Sequence, residues 1–169
     1  MLKPDPFNDM IEEAQWAKYE PSFARVRVRP TGAQLAGKRY EAAALLHLYR
    51  SHKAFVPLPW LTYKYVEDSS WKWCQPDGVL FDFAHGRICV VECKIRHTAQ
   101  AFSKLNDIYL PVLKLIFPET LWQFSGVEFT KAYDCAVKLP VRVSIHDLIE
   151  EVPSNKFGVV VWNPLKKLN

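Results

Sequence analysis

The stretch PDGVLFDFAHGRICVVECK, from Pro76 to Lys94, reads as two apolar strands joined by a tight turn at His85-Gly86. An aspartate opens it, and a glutamate and a lysine sit near its end inside strand-like sequence. Side chains two apart in a strand point the same way, so Glu92 and Lys94 share a face with Val90, while Cys89, Val91 and Cys93 take the other. The turn folds Asp77 back towards residue 92 or 93. An unpaired buried carboxylate costs on the order of several kcal/mol, so charges placed there pair or bind a metal. An aspartate and a glutamate converging on a strand end beside a lysine offer oxygen ligands to Mg²⁺ or Mn²⁺. The lysine can then orient or deprotonate a water, or stabilise a developing phosphate charge. The plainer alternative is an ion pair on an exposed sheet face. Asp82 competes with Asp77, but it falls on the opposite face and near the turn, which makes it the weaker candidate.

Outward from the hairpin, KRYEAAALLHLYRS (Lys38 to Ser51) is rich in alanine and leucine and predicts a helix. Glu41 shares a stripe there with Leu45 and Leu48. Pro57 and Pro59 break the chain, and WLTYKYV (Trp60 to Val66) alternates as a strand. After Lys94, Thr98 can cap a helix running to about Phe117. Its apolar positions Phe102, Leu105, Ile108, Tyr109, Val112 and Ile116 form one stripe, and Pro111 should kink it. Strands are expected at Trp122 to Lys131 and Phe157 to Trp162, with a short helix at Ser144 to Glu151 between them. The first 21 residues read as an irregular arm with one short helix. FARVRVR (Phe23 to Arg29) alternates strictly, placing Arg25, Arg27 and Arg29 on one face of a strand.

The order helix, strand, strand, strand, helix, strand predicts a mixed α/β domain around one sheet. The 169 residues suit a single domain: an arm and basic strand over 1–36, a core over 37–131, and an extension with a short helix and last strand over 132–169. Hydrophobic residues make up 49% and charged residues 24%, which excludes a disordered chain. The formal net charge of +4 is compatible with a polyanionic partner. No apolar run reaches the roughly 18 residues of a membrane span, and no signal-peptide pattern opens the chain, so a cytoplasmic protein is expected. The four cysteines form no CxxC pair, which argues against structural zinc. A phosphate-loop motif is absent.

Pro76-Asp77 followed by Glu92-Cys93-Lys94 resembles the PD-(D/E)XK nuclease signature. That superfamily includes type II restriction enzymes, Holliday-junction resolvases, RecB-like nuclease domains and small phage nucleases. The resemblance implies a restriction-endonuclease-like α-β-β-β-α-β core and metal-dependent hydrolysis of DNA phosphodiester bonds. It implies Asp77, Glu92 and Lys94 as catalytic residues. Mg²⁺ or Mn²⁺ would be held by Glu41, Asp77, Glu92 and the backbone carbonyl of Cys93. RecB-like members carry a QxxxY arrangement on the second helix. Tyr109 matches the tyrosine, but Leu105 stands at the glutamine position (Lys104 if the pattern is stretched by one), and Gln100 lies one turn earlier.

DNA contacts are expected from Arg25, Arg27, Arg29, Lys38, Arg39, Arg96, Gln100, Lys104 and Tyr109. The basic strand reads equally well as a solvated edge, and Tyr109 also lies on its helix's apolar stripe. Trp71-Lys72-Trp73, just ahead of Asp77, reads as core, as an interface anchor, or as a platform for an unpaired base. The expected function is a DNA nuclease, of phage type, acting in replication, recombination or packaging in a host cytoplasm or virion. The expected partners are DNA and a homo-oligomer or protein complex, with no membrane. The alternative is a nuclease-fold structural or adaptor component without activity.

Overall fold

In the computed structural model, which describes residues 11–25, 30–68, 70–133, 141–142, 144, 148 and 152–164, the hairpin lies within a six-stranded mixed sheet. The elements are β1 (Ile11–Trp16), α1 (Gly32–Ser51), β2 (Phe55–Pro57), β3 (Leu61–Tyr65), β4 (Lys72–Cys74), β5 (Gly78–Asp82) and β6 (Arg87–Arg96). They continue with α2 (Ala99–Lys104), a π-helical turn (Leu105–Tyr109), α3 (Leu110–Ile116), β7 (Gln123–Ala132), β8 (Val141–Arg142) and β9 (Phe157–Val161). The large sheet has the order β2-β5-β6-β7-β9-β8, and a separate three-stranded sheet has the order β1-β3-β4.

β5 and β6 pair antiparallel with Gly78 opposite Val91 and Asp82 opposite Arg87. Gly86 at φ +60° closes their turn, and a Cβ there would come 2.5 Å from the Leu121 carbonyl oxygen, so glycine is required twice over. β6 then pairs parallel with β7, with α2, the π turn and α3 as the crossover. The expected kink at Pro111 takes this form: proline cannot donate to the preceding turn, and the helix widens into a π turn just ahead of it.

The two faces of the large sheet follow the alternation of β6. Cys89, Val91 and Cys93 pack with Val127 and Phe129 of β7 against Ala44, Leu45 and Leu48 of α1. Ile88 and Val90 pack with Phe124 against Leu105, Tyr109, Val112 and Leu113. The inner face of the small sheet, Ile11, Leu61, Tyr63 and Cys74, joins that second core. The thiols of Cys74, Cys89 and Cys93 are buried and free.

Several expectations are corrected. The arm holds a strand, β1, rather than a helix: Ala14 and Trp16 face the core, and Glu13 lies opposite Lys64 across the β3 pairing, with their charges 3.4 Å apart. Leu61–Tyr65 is a strand as expected but belongs to the small sheet. The short Phe55–Pro57 pairs with β5 instead, with Pro57 at its end. Ser22–Arg25 is a 3-10 turn, so the basic strand does not begin at Phe23. Arg27 and Arg29 lie outside the described residues. The expected helix at 144–151 falls mostly outside them too, and so does Cys135.

Candidate active site

The charges of the hairpin meet at the open end of β6. Asp77, one residue ahead of β5, accepts the backbone N–H of Cys93 through Oδ2 at 2.5 Å. Its own carbonyl accepts the N–H of Leu58 at 2.9 Å. Two residues upstream, the Gln75 carbonyl accepts the Tyr109 hydroxyl at 3.1 Å. The segment entering Asp77 is therefore held from the strand, from the β2–β3 loop and from the helical crossover. Tyr109, expected at a DNA surface, is buried and acts as this buttress.

Glu92 is 1% exposed. Its Oε1 accepts Lys94 Nζ at 2.6 Å and Lys104 Nζ at 3.4 Å. Its Oε2 is buried with no protein partner. Lys104 reaches from α2 to the Glu92 carboxylate with its side chain still about half exposed. Gln100 is exposed one turn earlier on the same helix. Lys38, Arg39 and Arg96 are exposed.

Glu41 approaches from α1 and is half-buried. Burial raises its pKa, Glu92 adds to the rise, and Lys94, Lys38 and Lys104 oppose it. Burial likewise lifts Asp77 to about 7, helped by the charges of Glu92 and Glu41 and opposed by the Cys93 N–H and Lys94. At Lys94 burial favours the neutral form. The hydrogen bond to Glu92 and the charges of Glu92, Asp77 and Glu41 outweigh it and raise the pKa, so the ammonium holds its proton. The four groups named from the sequence thus lie within electrostatic reach of one another. Among the described residues, however, no three His, Cys, Asp or Glu side chains are close enough to chelate an ion as they stand. Glu92 is turned onto its lysines.

One acid escaped the sequence reading. Glu128 stands directly beside Glu92 in the β6–β7 register and is 0% exposed. Its Oε2 contacts His97 Nδ1 at 2.6 Å, and its Oε1 has no protein partner. Burial raises its pKa, against the pull of His97, the Thr98 N–H and Lys94. Its signal was present: an acid inside SGVEFT is as anomalous in a buried strand as Glu92 is in VVECK.

This donor set suits a divalent cation. It has carboxylates from three elements, an unpartnered buried carboxylate oxygen on Glu92, and an aspartate whose pKa burial and the neighbouring acids raise to about 7. No helix among the described residues is long and apolar enough to cross a membrane. No family model matches the chain, and neither a curated protein nor a solved structure matches it.

Proposed function

We propose that this protein is a metal-dependent nuclease that hydrolyses DNA phosphodiester bonds, with Asp77, Glu92 and Lys94 at its centre. The observation that carries the reading is the docking of the Asp77 carboxylate on the Cys93 N–H. It brings an acid from one strand beside the Glu-x-Lys of the next. On this reading α1, β2, β5, β6, the helical crossover and β7 correspond to the restriction-endonuclease-like α-β-β-β-α-β core. β2 takes the place that the sequence assigned to Trp60–Val66.

Glu41, Asp77, Glu92 and the Cys93 carbonyl would hold Mg²⁺ or Mn²⁺, which when bound polarises the scissile phosphate and acidifies a water. Oε2 of Glu92 is already unpartnered, and both Lys94 and Lys104 would have to leave Oε1 for the carboxylate to offer both oxygens. Lys94, whose proton is tightly held, orients the water and screens the charge that develops on the phosphate. Lys104 and the exposed Lys38, Arg39 and Arg96 line the approach for a DNA backbone. By its sequence resemblance to small phage nucleases we assign it to replication, recombination or packaging of phage DNA in the host cytoplasm.

A specific observation favours a second reading, a nuclease-fold adaptor. Glu92 is already paired with two lysines, and at the far end of the hairpin Phe83, with Leu121 of the segment before β7 beside the Gly86 turn, is exposed, each 71% accessible. The deciding experiment is cleavage of labelled linear, circular and branched DNA with Mg²⁺ or Mn²⁺, beside an Asp77→Asn variant. Metal-dependent cutting by the wild type alone supports the nuclease. Intact DNA in every lane, with no divalent cation bound by the folded protein, leaves the adaptor.

A further inference from the structure

The outer face of the small sheet carries an aromatic group that the catalytic reading does not use. Its inner face is core, with Cys74 of β4 packed into it, so the neighbouring Trp73 lies on the other face, opposite Thr62. The 3-10 turn lays Phe23 across Trp73 and Trp60. The three ring centroids lie 5.8 to 6.2 Å apart, with planes 79° to 88° from one another. Phe23 is 56% and Trp73 38% exposed, so ring area on both is open to solvent.

Leu58 lies between Pro57 and Pro59, in the loop that leads to Trp60. It is 41% exposed at φ +48°, a backbone region that a branched side chain before proline strongly disfavours. Such a residue persists only where its surroundings hold it, and these strained positions gather at ligand sites. Here the holders belong to the active-site segment: the Leu58 N–H donates to the Asp77 carbonyl, and the Leu58 carbonyl accepts Gln75 Nε2, both at 2.9 Å. Trp60 is two residues from Leu58, and Trp73 is four residues from Asp77, at most about 14 Å by chain reach.

We propose that Phe23, Trp60 and Trp73, with Leu58 in the loop that leads to Trp60, bind unpaired nucleobases of a DNA strand passing the Asp77 site. Every base offers a π-face, so such a platform selects single-stranded or frayed DNA without reading sequence. The proposal rests on the nuclease reading for the chemistry beside it, and its test is independent of cutting. Binding of a labelled single-stranded oligonucleotide and of a blunt duplex is measured by fluorescence anisotropy in the presence of a chelator. The expected result is about tenfold or greater weakening of single-strand binding in Phe23→Ala and in Trp73→Ala, with duplex affinity changed less than about twofold. Trp73→Phe should recover most of the loss. Phe23 lies on an exposed turn, so its variant keeps the test valid if Trp73→Ala melts early. Unchanged single-strand affinity in both alanine variants, or an equal loss for duplex and single strand, overturns the proposal. Selective loss in a wild-type background that cuts no DNA would sink the nuclease reading and leave the platform standing.

Discussion

Asp77 accepts the backbone N–H of Cys93 at 2.5 Å while lying close enough to Glu92 and Glu41 for their charges to oppose its ionisation. The hydrogen bond favours the carboxylate. Burial and the two neighbouring acids favour the carboxylic acid and prevail, lifting the group to about 7. In the unfolded chain an aspartate titrates near 4. Between about 4 and about 7 the native state therefore keeps a proton that the unfolded state has released, and stability falls as pH rises through that window. In metal-free protein, Asp77→Asn keeps an acceptor for the Cys93 N–H and removes the penalty. Its urea midpoint should exceed that of the wild type at pH 8 by on the order of a few kcal/mol in stability, with the difference vanishing near pH 4. A wild type that is as stable at pH 8 as the variant would contradict this balance.

Glu92 is shared between Lys94 and Lys104, so on the nuclease reading a divalent cation would have to compete with both. Lys104 is the longer contact at 3.4 Å and its side chain is about half exposed. Lys104→Ala should therefore cost less than about 1 kcal/mol of stability and tighten Mg²⁺ or Mn²⁺ binding several-fold by calorimetric titration. Lys94→Ala should behave differently. It removes the 2.6 Å partner of a carboxylate that is almost wholly buried, so it should destabilise by roughly 1–3 kcal/mol and abolish any cutting. Equal metal affinity in wild type and Lys104→Ala would show that Glu92 does not contact the ion.

The site was legible in the sequence where local rules sufficed. Alternation placed Glu92 and Lys94 on one face, and the turn at Gly86 brought Asp77 to Cys93. The helical crossover and β7 were legible for the same reason, because their apolar periods are long. Partner choice was not legible. Leu61–Tyr65 alternates like any strand, and nothing in its own residues says that β1 pairs with it in a second sheet while the proline-ended Phe55–Pro57 takes the edge of the first. β1 itself, IEEAQW, has helix-favouring composition, and tertiary pairing with Lys64 overrides it. The pairing of Glu128 beside Glu92 depends on the β6–β7 register, a long-range fact that no window of sequence contains.

His97 and Glu128 form a second buried acid contact next to the first, with Nδ1 to Oε2 at 2.6 Å and Glu128 wholly enclosed. Removing the imidazole leaves a buried carboxylate with only the Thr98 N–H and the more distant Lys94 to support it. His97→Ala should destabilise by about 3 kcal/mol in chemical unfolding at pH 8. Adding Glu128→Gln should recover at least half of that loss, because the neutral amide has no charge to desolvate. Additive losses in the double variant would mean that the two side chains do not depend on each other.

Gly78 sets how closely β2 approaches the segment that carries Asp77. A Cβ at position 78 would lie 2.3 Å from the Phe55 ring, and Phe55 is itself buried against α1 and β6 residues. The ring cannot retreat without opening that core, so Gly78→Ala should destabilise by about 1–3 kcal/mol through overpacking. The displacement also has a local consequence. β2 leads into Leu58, whose N–H holds the Asp77 carbonyl at 2.9 Å, so pushing β2 away loosens Asp77 on Cys93. Divalent-cation affinity in Gly78→Ala should then fall by more than in Gly37→Ala, a helix position where an added methyl meets nothing within 4 Å. If both variants bind the cation as the wild type does, the β2 contact does not position Asp77, and the Cys93 N–H with the Tyr109 buttress suffices to hold it.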